Sequence, residues 1–105
     1  MSGLPQQDRR FSADGIAGAR TQLIAALETV LRERGLNQVS AARLLQTDQP
    51  TLSKMLRGRT DSVSLDKLME WLLVLGRSVE IHVIEVCAPV GALKVIASEH
   101  AHVPR

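Results

Sequence analysis

Gln49, Pro50, Thr51, Lys54 and Arg57 lie within nine consecutive residues and carry hydrogen-bonding groups, positive charge and small apolar surfaces. Gln can make paired hydrogen bonds to adenine, Lys can reach guanine acceptors, and the apolar faces of Pro and Thr can touch a thymine methyl, all from a helix in a major groove. Leu52, Met55 and Leu56 fall on the buried side of that helix at helical spacing, which leaves the five outward or at the margin. From Arg43 to Arg59 four basic residues, Arg43, Lys54, Arg57 and Arg59, stand against one acid, Asp48. Phosphate binding needs such a local excess of positive charge. An ordinary helical hairpin with a solvated basic face would share these features one at a time. Their agreement with the turn, the caps and the small residues beside them favours a DNA-binding helix-turn-helix.

Two short helices must position these side chains. The first runs from Gln38 to Leu45 with Asn37 as its cap, and Ala41, Ala42, Leu44 and Leu45 are expected to pack inward. Gln46, Thr47 and Asp48 make the turn. Asp48 can cap the second helix, and Pro50 falls in its first turn, where the missing N–H costs little.

At these residues the chain resembles the Cro/C1-type (XRE) helix-turn-helix regulators, and more closely the branch that includes HigA-type antitoxins. AARLL, QPTLSKMLRG, SLDKL and LGRSVEIHV occur in that order between about Gln22 and Val83. The resemblance implies that Gln49, Pro50, Thr51 and Lys54 read bases and that Gln38, Arg57 and Arg59 contact the DNA backbone. Two positions depart from the pattern. Gln46 stands where the family usually has the turn glycine, and Thr47 where it has a buried aliphatic. Gln46 is therefore expected to take a positive φ at some cost.

The length, 105 residues, allows one domain with tails and a modest core. Net charge is +2 and the pI is about 9.2, so a nucleic acid must be met by a local patch rather than by bulk charge. The lone cysteine, Cys87, cannot form an internal disulfide and fits a reducing cytoplasm. No signal peptide or membrane span is expected, and the reading is of a cytoplasmic protein. Neither a nucleophile elbow, an HExxH, a phosphate-binding glycine loop nor a carboxylate cluster can be assembled, so no enzyme, metal or cofactor is expected. His100 and His102 read as solvated tail histidines.

Residues 1–11 read as a mobile arm, 12–77 as the DNA-binding domain and 78–105 as a β segment with a tail. A long first helix is expected from Ser12 to about Arg34, with Ile16, Leu23, Leu27, Val30 and Leu31 as its apolar stripe and Gly35 as its stop. After the motif, Arg59 and Thr60 are placed to touch phosphate beyond the second helix. Ser64 should cap a further helix, Leu65 to Leu75, stopped by Gly76. That helix is apolar around most of its circumference, which suggests a subunit interface near Trp71 and Val74, with plain core packing weighed equally for Trp71. From Ser78 to Val86 the period changes to two, with Val79, Ile81 and Val83 on one face. One strand alone is not stable, so this segment should pair either with residues 93–97 or with its copy in a second subunit.

The expected fold is thus mainly α, a compact helix-turn-helix bundle of four to five helices like that of lambda repressor, with a C-terminal β-strand or hairpin used in dimerisation. The expected function is that of a homodimeric DNA-binding regulator on a palindromic operator. In its sharper form, which rests on the resemblance alone, it is an autorepressing antitoxin that binds a cognate toxin. The alternatives are a stand-alone repressor and a helical protein-interaction module that has lost DNA binding.

Overall fold

The computed structural model describes residues 3–97, with side chains from Gly15 onward. Four α-helices and one 3-10 turn follow in order: α1 (Gly3–Glu33), α2 (Gln38–Leu45), α3 (Gln49–Leu56), the 3-10 turn Thr60–Ser62, and α4 (Leu65–Val74). α1 lies against α4, α3 and the 3-10 turn, while α2 packs on α3.

The core follows from the periodicities. α1 contributes Leu23, Ile24, Leu27, Val30 and Leu31; α2 contributes Ala41, Ala42 and Leu45; α3 contributes Leu52 and Met55; α4 contributes Leu68, Trp71 and Leu72. Leu27, Leu52, Met55 and Leu68 are the largest fully buried side chains. Arg77 Nη2 donates to Glu33 Oε1 at 2.7 Å and Arg34 Nη1 donates to the Leu75 carbonyl at 3.3 Å, so the C-terminal ends of α1 and α4 are tied side by side.

All four helices stop in the same way. In each, a residue of positive φ donates three residues back, and the residue after it donates five back: Gly35 to Arg32 and Leu36 to Leu31, Gln46 to Arg43 and Thr47 to Ala42, Gly58 to Met55 and Arg59 to Lys54, Gly76 to Leu73 and Arg77 to Leu72. This is the Schellman arrangement. Three of the four left-handed positions are glycine and the fourth is Gln46, at φ 58 and ψ 45. The positive φ expected at Gln46 is therefore present.

Several expectations are corrected. α1 begins at Gly3 rather than at Ser12. Met1 and Ser2 lie outside the described residues, as do residues 98–105 with His100 and His102. Ile16 is exposed, and among the described side chains of α1 burial starts at Ala19. Leu44 is exposed too: the stripe centred on Ala41, Ala42 and Leu45 leaves it roughly 100° round the helix. Trp71 is only 3% exposed and belongs to the core of its own chain rather than to a subunit interface, whereas Val74 is half exposed.

The C-terminal β-strand is also absent: among the described residues there is no strand. Residues 78–86 and 91–97 are two irregular limbs joined by bends at 87–90. Val79 and Val95 rest against the core, while Ile81 and Val83 are exposed. No backbone hydrogen bonds join the two limbs among the described residues, so the alternation of apolar residues is not matched by a ladder within the chain.

Candidate nucleic-acid interface

The site is built on α3. Asp48, with extended backbone, caps the helix through Oδ1, which accepts from the Thr51 N–H at 2.7 Å. Hydrogen bonds from Thr51, its side chain first and its backbone N–H next, hold the Asp48 carboxyl below the ordinary aspartate range. Pro50 occupies the first turn, where no helical N–H is required of it. Leu52 and Met55 anchor the inner face at 0% and 1% exposure, which fixes the rotation of the helix. As a consequence Gln49, Pro50, Lys54 and Arg57 are exposed and Thr51 sits half-buried at the margin.

α2 supports α3 from one side. Its cap, Asn37, accepts from the Ser40 N–H at 2.8 Å, and the Ser40 hydroxyl donates to the same carboxamide oxygen at 2.8 Å. Gln38, in the first turn, is half-buried. The small Ala41 and Ala42 are buried where the two helices meet, which lets α3 come close. Beyond α3, Arg59 precedes the 3-10 turn and is exposed, and Thr60 is half-buried at its start. The Ser62 hydroxyl donates to the Arg59 carbonyl at 2.7 Å, which fastens this connection.

Arg43, Lys54, Arg57 and Arg59 are all exposed, and among the described residues none forms an ion pair with a carboxylate. Their charge is thus available to an anion. Two residues had no assigned part in the sequence reading. Arg43, counted there for its charge alone, stands exposed on the last turn of α2, and Ser53 lies half-buried on α3 between Leu52 and Lys54. Helical rotation relative to Leu52 was the signal that could have placed Ser53 at the margin.

Val74, Val79, Ile81 and Val83, the remaining residues read as an interface, do not form one patch of equal exposure. Val79 is half-buried on its own core, Val74 is half exposed, and Ile81 and Val83 are largely exposed. Among the described residues no group of His, Cys, Asp and Glu could hold a metal ion, and no helix is long and apolar enough to cross a membrane.

Two helices joined by a three-residue turn, the second capped and pinned with its polar edge outward, define a helix-turn-helix unit. Residues 7–84 match a family model described as a helix-turn-helix domain, and the chain belongs to that family. A solved structure provisionally named an XRE-family transcriptional regulator superposes with a TM-score of 0.75 at 25% identity, covering 82% of this chain and 99% of its own. No curated protein matches.

Proposed function

We propose that the chain is a DNA-binding transcriptional regulator of the XRE type, reading its site with α3 in the major groove. The observation that carries this reading is the outer face of α3: Gln49, Pro50, Lys54 and Arg57 are exposed on a helix whose rotation is fixed by Leu52 and Met55. Family membership and the likeness to an XRE-family structure support the same reading.

In this reading the N-terminal half of α3 meets base edges. Gln49 pairs with an adenine, Lys54 reaches guanine acceptors, and Pro50 with the Thr51 methyl covers a thymine methyl. Gln38, Arg57, Arg59 and Thr60 hold phosphates on either side and set the register of α3 on the duplex. The Asp48 carboxylate is already engaged as a cap, which leaves its charge directed at the N-terminus of α3. A homodimer would place two such helices about 34 Å apart on a palindromic operator. Val74, Ile81 and Val83 are among the exposed apolar residues available for that association.

The test is an anisotropy titration on the DNA upstream of the protein's own coding sequence, against a scrambled duplex at moderate salt. The reading expects roughly a thousandfold preference or more. Equal binding of both duplexes would remove it in favour of an interaction module. The antitoxin role is the sharper form of this proposal and is supported by the block resemblance from AARLL to LGRSVEIHV. Co-purification with a small protein encoded beside it would support that form. A stand-alone repressor predicts no such companion.

A further inference from the structure

The chemistry of residues 77–85, RSVEIHVIE, is self-complementary in one antiparallel register. Two copies related by a two-fold axis normal to the sheet must place residues of the same parity opposite each other, so the axis passes through one residue of the segment. Centred on Ile81, the odd face reads Arg77, Val79, Ile81, Val83, Glu85 against the same list reversed. Apolar residues then meet apolar residues, and each end sets Glu85 opposite the second copy's Arg77, whose guanidinium also holds Glu33 of its own chain. On the even face Glu80 stands opposite His82 of the second copy, twice, and outside these pairs Ser78 stands opposite Ile84.

Neighbouring registers lose this match. Centring on Glu80 sets two glutamates face to face, and centring on His82 or Val83 puts Glu85 against Val79 or Ile81. Like charges directly opposite, or a charge against an apolar partner, weaken a pair of strands.

The single chain is prepared for such a partner. Val79 rests against its own core, but Ile81 and Val83, on the same face, are 73% and 96% exposed. Glu80 and His82 lie on one face already, with His82 Nε2 3.1 Å from Glu80 Oε1. The segment has no ladder partner within the described chain. In the Ile81 register, Val83 of each copy comes to lie beside the other copy's Val79, at the edge of that copy's core.

We infer that the 77–85 segments of two copies pair antiparallel about a two-fold axis through Ile81, with Glu80 opposite the second copy's His82. This deepens the homodimer reading above and rests on it. The experiment uses the full chain carrying Cys87→Ser, so that an added thiol is the only one. Ile81→Cys should cross-link to its own copy almost completely under mild oxidation at low protein concentration, because opposed strand residues lie within disulfide reach. Val83→Cys alone should cross-link poorly, since its copy lies about 13 Å away along the strand. Mixed with Val79→Cys, it should form the heterodisulfide.

Light scattering on the unmodified protein separates the two levels of failure. A dimer whose cross-links favour His82→Cys or Val83→Cys over Ile81→Cys would overturn the register and leave the homodimer standing. A monomer at tens of micromolar with no cross-linking would overturn both.

Discussion

Replacing Gln46 with glycine is expected to stabilise the protein by about 0.5–1 kcal/mol. Gln46 sits at φ 58 and ψ 45 at the end of α2, and a side chain in that region costs about 1–2 kcal/mol relative to right-handed backbone. Glycine removes that cost but widens the unfolded ensemble, which returns roughly 0.4–1 kcal/mol. The Gln46 side chain is exposed, so little packing is lost to set against the gain. The reciprocal change is Gly35→Ala, at the same position of the α1 stop with φ 67, where an added Cβ meets nothing within 4 Å. It should destabilise by about 1 kcal/mol through backbone strain alone. Urea unfolding reads both as shifts of the midpoint at constant slope. Because Gln46→Gly leaves the turn's hydrogen bonds in place, the pose of α3 and the affinity for DNA should hold within about twofold. A destabilised Gln46→Gly together with a neutral Gly35→Ala would refute the strain argument.

Three further outcomes follow from the same geometry. Arg57→Ala and Arg59→Ala should each weaken DNA binding on all sequences alike and lower the slope of log affinity against log salt by about 0.9, with unfolding unchanged; a specific loss at one base pair would contradict their phosphate role. Trp71→Ala should cost about 3–5 kcal/mol in a denaturant melt, because the ring is buried among core residues, and a folded variant defective only in self-association would contradict that placement. Asp48 and Asp66 both have lowered pKa values, the first from Thr51 and the second from the Ser64 hydroxyl. A depressed folded-state pKa gives stability that is present above the unfolded value and is lost as pH falls through the folded one. Acid titration below about pH 4 should therefore weaken the wild type, and Asp48→Asn should flatten that part of the profile.

The motif was legible because its signals are local. Asn37, Asp48 and Ser64 act as caps, each accepting from the N–H three residues on, and Pro50 sits in the first turn of α3 as its backbone chemistry requires. The strain at Gln46 could be read from the displacement of a glycine. Burial was harder to read. Leu44 and Leu45 look alike in composition, but only the rotation set by Ala41 and Ala42 decides which one faces in. Trp71 lay on a helix apolar on most sides, and which side α1 covers is a tertiary matter that the α4 pattern alone does not determine. The C-terminal segment has strand periodicity without a ladder. Alternation reports which residues share a face, while pairing depends on a partner that the local pattern does not name.

Whether α3 reads a defined DNA site is decided by selecting bound duplexes from a randomised pool with the wild type and with Gln49→Ala in parallel. A dimer reading bases with α3 yields an enriched palindrome with half-sites about one helical turn apart, and Gln49→Ala loses its preference at one adenine in each half-site while the rest is kept. A wild-type pool without an enriched sequence, or a Gln49→Ala pool identical to the wild-type one, would show that α3 does not read the site in this way.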